Sequence, residues 1–122
     1  MKPLYEIYDG KDLYIAEKIQ QRRLQMLVHS YLYYELDRNL VSDAVWSRWA
    51  VELANLQKKY PEIEKQVPYR EGFEEWDGSS GAFLPYNNEQ VRTIADRLLH
   101  ISRTPNKKSK ALDKNPARKK LF

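Results

Sequence analysis

The sequence predicts a mainly α fold: a three-helix core, an ordered aromatic loop, and a disordered basic C-terminal tail. Three observations carry this expectation. Apolar residues recur at helical spacing over three separate stretches. The segment between the second and third stretches mixes turn formers with aromatics. After Ser102 the apolar rhythm ends, and residues 103–122 hold eight basic side chains against the single acid Asp113. The expected division is therefore a helical domain over 1–102 and a disordered tail over 103–122.

Residues 1–10 read as an arm laid over the surface. Pro3 bends it, Leu4, Tyr5, Ile7 and Tyr8 offer apolar contacts, and Asp9-Gly10 makes a turn. The first helix is expected from Asp12, capped by that carboxylate, through Leu13, Ile15, Ala16 and Ile19 toward Leu36. Gln20-Gln21-Arg22-Arg23 interrupts the pattern, either as a solvated face or as a break between two shorter helices.

Asp37-Arg38-Asn39-Leu40-Val41 then ends the helical period. Ser42 is a good N-cap, because its hydroxyl can accept from a free backbone N–H, and Asp43 falls where the helix dipole favours a carboxylate. The second helix carries Trp46, Trp49, Ala50, Leu53 and Leu56 as one apolar stripe and stops before Pro61. The two helices should meet across a tight polar turn, antiparallel or steeply crossed.

Glu62-Ile63-Glu64-Lys65 extends that helix irregularly. The segment 68–86 holds three of the four glycines together with Tyr69, Phe73, Trp76, Phe83 and Tyr86, so it should pack as an ordered lobe, with room for a short hairpin. Its Gly78-Ser79-Ser80-Gly81 run lacks the lysine and following helix of a phosphate loop. The third helix begins near Asn87 or Asn88, where Asn87 with Gln90 approximates a capping box, and buries Val91, Ile94, Ala95, Leu98 and Leu99.

Composition narrows the chemistry. With 122 residues the chain fits one small domain. There is no cysteine, so disulfides and thiolate metal sites are excluded, and His29 and His100 have no carboxylates at ligand spacing. No nucleophile elbow is present. No apolar run approaches a membrane span and the N-terminus lacks signal-peptide order, so a cytoplasmic protein is expected. The first 102 residues carry 13 basic and 16 acidic side chains, which places the excess positive charge in the tail. There Lys107, Lys108, Lys110, Lys114, Arg118, Lys119 and Lys120 could attract DNA or an acidic protein surface, or only solubilise the chain.

At the helix junction, Asp43, Trp46 and Ser47 share one side of the second helix, and Tyr33 and Tyr34 end the first. These aromatics either fill the core between the helices or wall a slot for a flat polar ring, edged by Asp37 and Asp43.

The order His29-x-Tyr31-Leu32-Tyr33-Tyr34-x-x-Asp37, Ser42-Asp43-Ala44-x-Trp46-x-Arg48, Glu52-Leu53 and Tyr60-Pro61-Glu62 resembles the small N-terminal helical subdomain of bacterial NAD-dependent DNA ligases. That resemblance implies a module that closes over NAD and holds its nicotinamide mononucleotide half. It casts Tyr33 and Trp46 as a ring sandwich, Asp43 as a carboxylate contact and Tyr34 as a neighbour of the phosphate. His29 matches a family histidine but also suits a structural role. Three positions depart from the family: Tyr34 replaces a histidine, Ser47 an aspartate and Asn39 a loop proline. A charged hydrogen bond contributes about 1.5–3 kcal/mol against about 1 for a neutral one, so Ser47 weakens the set. Where the ligases place the lysine of Lys-x-Asp-Gly, this chain reads Glu75-Trp76-Asp77-Gly78, and a carboxylate cannot act as that amine nucleophile.

The expectation is therefore a non-catalytic accessory or regulatory protein binding NAD or nicotinamide mononucleotide, of viral or phage origin. Two alternatives stand beside it. One is an interaction or inhibitor module acting on a replication or defence protein; the other is DNA binding through the tail. Arg118-Lys119-Lys120-Leu121-Phe122 faintly resembles the Q-x-x-L-F peptide that docks on sliding clamps, with Arg118 in place of glutamine.

Overall fold

The structure, a computed structural model, describes residues 2–103. Among them the elements are α1 Leu4–Ile7, α2 Gly10–Leu36, α3 Asp43–Lys59, α4 Pro61–Glu64 and α5 Glu89–Arg103. The expected three principal helices are α2, α3 and α5, and no strand or hairpin occurs among the described residues. The basic positions from Lys107 to Lys120 lie outside them.

α2 is the spine, and α1, α3, α4 and α5 all pack on it. Its Ile15, Ala16, Ile19, Met26, Leu27, Val28 and Leu32 meet Trp46, Ala50 and Leu53 of α3 and Val91, Ala95 and Leu99 of α5 in one core. Fully burying a side chain of this size contributes roughly 1.5–3 kcal/mol, so the three stripes read from the sequence supply most of the cohesion. Ile63, Val67, Phe73 and Leu84 close the core from α4 and the loop beyond it.

The N-terminal arm is not extended throughout. Leu4–Ile7 form one helical turn, with Leu4 buried against the core. α2 begins at Gly10 rather than Asp12, because the Asp9 carbonyl already accepts from Leu13 N–H at 3.1 Å. Asp12 falls inside the first turn, where its charge suits the dipole.

Gln20 to Arg23 neither break α2 nor lie wholly in solvent: Arg23 is fully buried. Its Nε donates to Gln57 Oε1 at 2.8 Å, Nη1 to the Val67 and Pro68 carbonyls at 2.9 and 3.3 Å, and Nη2 to the Glu64 carbonyl and Oε1 at 3.2 and 2.9 Å. Desolvation lowers the Arg23 pKa to about 10 against the opposing pull of Glu64, so the group stays charged at neutral pH. This guanidinium ties α2, α3, α4 and the following loop together. Gln57 Nε2 extends the tie by donating to the Phe73 carbonyl at 3.0 Å.

α2 ends where Asp37 turns into the left-handed region at φ 52, with its N–H and that of Arg38 both returning to the Leu32 carbonyl. Ser42 caps α3 as its sequence position suggests, its hydroxyl accepting from Val45 N–H at 3.1 Å. At α5, Asn88 rather than Asn87 is the cap: Asn88 Oδ1 accepts from Val91 N–H at 3.0 Å, while Asn87 accepts from Arg92 Nη1 at 2.8 Å.

Candidate functional site

The five residues singled out as a nucleotide site lie on the two helices that flank the α2–α3 turn, and Tyr33 and Trp46 among them line one small gap. Tyr33 and Tyr34 close α2, and Asp43, Trp46 and Ser47 open α3, held in register by the Ser42 cap and the αL turn at Asp37. Tyr33 and Trp46 are buried at 7% and 2% exposure, Tyr34 and Asp43 are half-buried, and Ser47 is exposed. The Tyr33 and Tyr34 rings meet edge to face, with centroids 5.0 Å apart and planes at 85°.

The space between the walls is small. His29, Tyr33, Arg38, Asn39, Val41 and Trp46 surround a cavity of about 10 Å³. That is room for about one water, whereas small-molecule pockets run to about 300–1,000 Å³. Asn39, which stands where the family loop has proline, is itself buried in this wall. Burial lowers the His29 pKa to about 4, so its imidazole is neutral at pH 7. The ring packs on Trp49 at 5.8 Å, and Arg22 lies over the same tryptophan with its guanidinium 5.3 Å from the centroid. These contacts support the structural reading of His29.

The loop that follows α4 covers the junction. Trp76 sets its edge on Trp46 at 6.2 Å and 87°, and Tyr86 stacks on Tyr34 at 6.1 Å and 8°. Tyr86 O–H donates to Glu35 Oε2 at 3.2 Å. Tyr34 is raised above the usual tyrosine pKa by burial, opposed by its hydrogen bond with Ser80. Gly81 presses on both helices: a Cβ there would lie 2.1 Å from Ser30 Oγ and 3.2 Å from Trp46 Cζ2. Only glycine allows that approach. Beneath it the Ser30 hydroxyl is fully buried with no hydrogen-bond partner, an arrangement that costs about 1–3 kcal/mol.

Sequence reasoning kept the lobe and the slot apart, and so missed Trp76, Gly81 and Tyr86 as parts of the junction. Their signal was the density of aromatics in a glycine-rich loop. On the far side of Trp76 lies a larger cavity of about 560 Å³, lined by Asn55, Lys58, Glu64, Glu75 and Asp77 among others. Glu64 in its wall is already paired with Arg23 and Arg70, which leaves Glu75, Asp77 and Lys58 as its other charged groups.

Residues 13–67 match the family of DNA ligase-like, N-terminal NAD+-binding domains. The match covers α2, α3 and α4 and stops before the covering lobe. Among curated proteins, the DNA ligase of Carboxydothermus hydrogenoformans is 38% identical over 49 residues, 40% of this chain and 7% of that ligase. That of Pseudothermotoga lettingae is 39% identical over 49 residues, again 40% of this chain and 7% of the ligase. The Fervidobacterium nodosum DNA ligase is similar over a longer stretch, 26% over 100 residues, covering 73% of this chain and 15% of the ligase. The chain thus spans a small fraction of the length of these relatives. No solved structure matches it significantly.

Against this NAD+-binding family the donor types at the junction fit and the volume does not. Aromatic walls and a carboxylate are in place, but a 10 Å³ gap does not admit a nicotinamide ring. Glu75, beyond the residues that match the family, is exposed and sits at φ 58 in a turn of the lobe. Among the described residues no group of three His, Asp or Glu could hold a metal, and no helix is long and apolar enough to cross a membrane.

Proposed function

We propose that this chain is a non-catalytic module that recognises the nicotinamide half of NAD, or nicotinamide mononucleotide, through Tyr33, Tyr34, Asp43, Trp46 and Ser47. The observation that carries the reading is that the family match spans the junction where Tyr33 and Trp46 line one gap, with Tyr34 against Tyr33 and Asp43 in the first turn of α3. Asp43 lies in the first turn of α3, where a polar ligand also meets free helix N–H groups. Tyr33 and Trp46 supply ring faces, and Ser47 supplies a neutral group where the family has a charged one. The small gap means that recognition requires the junction to widen. Glu75, in place of a nucleophilic lysine, supports an accessory rather than a catalytic role.

Calorimetric titration with nicotinamide mononucleotide, NAD and AMP tests the assignment. The first two should give saturable heat and AMP none, and Asp43→Asn should weaken binding by about tenfold as a charged contact becomes neutral. No heat from any nucleotide in folded protein would contradict it. That outcome would favour a second reading, a contact module for a replication or defence protein, which the 96% exposure of Phe83 at the tip of the lobe supports.

A further inference from the structure

We propose that residues 72–85 form a lid seated on the α2–α3 junction, and that a nicotinamide nucleotide binds only when this lid is lifted. The choice of ligand rests on the nucleotide reading above; the lid rests on the geometry of the loop.

The loop has a neck. Gly72 turns at φ 84 and packs so tightly on Pro85 that a Cβ there would lie 2.4 Å from the proline ring. A compact surface loop whose ends meet in this way is an Ω-loop. Phe73 and Leu84, just inside the neck on either arm, are buried in the core and anchor both ends, Phe73 with its carbonyl held by Gln57, so the part that lifts is the stretch between them.

Its footprint coincides with the candidate site. Trp76 stands on Trp46, Gly81 lies between Ser30 and Trp46, Ser80 meets Tyr34, and Tyr86 just beyond the neck stacks on Tyr34. The covered rings are those matched to the nucleotide site, and the cover lies beyond the residues that match the family.

The loop also holds itself together. Trp76 Nε1 donates to the Ser80 carbonyl at 2.9 Å, Ser79 N–H to Asp77 Oδ1 at 2.9 Å, and Ala82 N–H to Ser80 Oγ at 3.1 Å. These bonds, all within residues 76–82, travel with the loop when it lifts, whereas the bond from Leu84 N–H to the Gly81 carbonyl at 3.3 Å, between an anchored and a lifting residue, opens with it. The seat is imperfect in turn, because closing it leaves the Ser30 hydroxyl buried and unsatisfied directly under Gly81. Lifting returns that hydroxyl to water and uncovers the parts of Trp46 on which Trp76 and Gly81 rest.

The chain has no cysteine, so a single engineered disulfide can lock the lid. A Cβ at position 81 would lie 3.1 Å from Ser30 Cβ, within a few tenths of an ångström of the roughly 3.5–4.5 Å that a disulfide spans. The experiment titrates nicotinamide mononucleotide into the Ser30→Cys, Gly81→Cys variant, oxidised and then reduced. The oxidised form should show no binding at concentrations that saturate the reduced form, a loss of about tenfold or more in apparent affinity. Equal binding by both forms, with the disulfide verified by mass, would overturn the lid and leave the nucleotide reading intact.

Trp76→Ala provides a second arm that does not involve cysteine. Apparent affinity scales with the open fraction, so freeing the lid from Trp46 should tighten binding, whereas loss of a mere support would weaken it. Weaker binding by that variant overturns the lid. No binding by either wild type or Trp76→Ala, both folded by circular dichroism, overturns the nucleotide reading and the gate with it.

Discussion

Arg23 and Ser30 lie about two turns apart on α2, and both side chains are fully buried, yet they sit in opposite kinds of surroundings. Arg23 is met by Gln57, Glu64 and the carbonyls of Glu64, Val67 and Pro68, so its donors are well matched. Ser30 lies under Gly81 with no partner at all. The contrast separates a permanent joint from a removable cover. A buried cation surrounded by acceptors holds its neighbours wherever the fold exists, because moving any of them exposes an unpaired charge. A buried hydroxyl left unsatisfied gives up little when its cover lifts. The family match runs through the joint and ends before the cover.

The largest expected effect is on the joint. Arg23→Ala takes the donor from the Val67, Pro68 and Glu64 carbonyls and from Gln57, and leaves Glu64 with Arg70 as its remaining guanidinium. It should cost about 3–5 kcal/mol in urea denaturation, at roughly 1–3 kcal/mol per unsatisfied buried group. A loss near 1 kcal/mol would erase the distinction between the two regions.

The second test uses acid. His29 has a pKa near 6.5 when unfolded and about 4 in the fold, depressed by burial beside the junction. Between those values the unfolded chain holds a proton that the folded one does not. Stability should therefore rise with pH from about 4 to 6.5 and fall on acidification through that window, with this group accounting for something on the order of 3 kcal/mol. His29→Gln should flatten that part of the profile, measured by denaturation at several pH values. Arg23, still charged below about 10, should leave the same window unchanged.

Ser42→Ala comes third. It removes the cap that places Asp43 and Trp46, and should cost about 1 kcal/mol by thermal or urea unfolding. Smallest, and opposite in sign, is Ser30→Ala. Replacing an unsatisfied hydroxyl with a methyl hydrogen should leave stability unchanged or raise it by up to about 1 kcal/mol. A clear loss would mean that the hydroxyl has a partner in solution.

What could be read from the sequence was what local chemistry decides. The Ser42 cap, the Trp46-to-Leu56 stripe and the end of α3 at Pro61 follow from capping, period and backbone sterics within a few residues. Of the five junction residues, which stood out through their order and spacing, Tyr33 and Trp46 line one small gap and Tyr33 meets Tyr34 edge to face, while Asp43 and Ser47 lie on the opening turns of α3. Arg23 did not stand out, because an arginine is buried only if distant carbonyls arrive to meet it, and those of Val67 and Pro68 come from the other side of the fold. The same holds for the closed gap. Tyr33 and Trp46 can be placed across a junction from helical spacing alone, but whether anything covers them depends on where Trp76 and Gly81 return. The arm was misread for a smaller reason: one helical turn at Leu4–Ile7 is too short to show a period.

Native-state hydrogen exchange tests most directly whether the cover moves while the joint stays. The amides of Leu84 and Tyr86, bonded to the Gly81 and Leu84 carbonyls within and beside the lid, should exchange through a local opening that depends little on denaturant. The amides of Gln66 and Val67, beside the Arg23 joint, should exchange only with global unfolding and a steep denaturant dependence. Adding nicotinamide mononucleotide should speed the first pair and slow the second. Exchange of all four amides at one common free energy, unmoved by the nucleotide, would contradict the account.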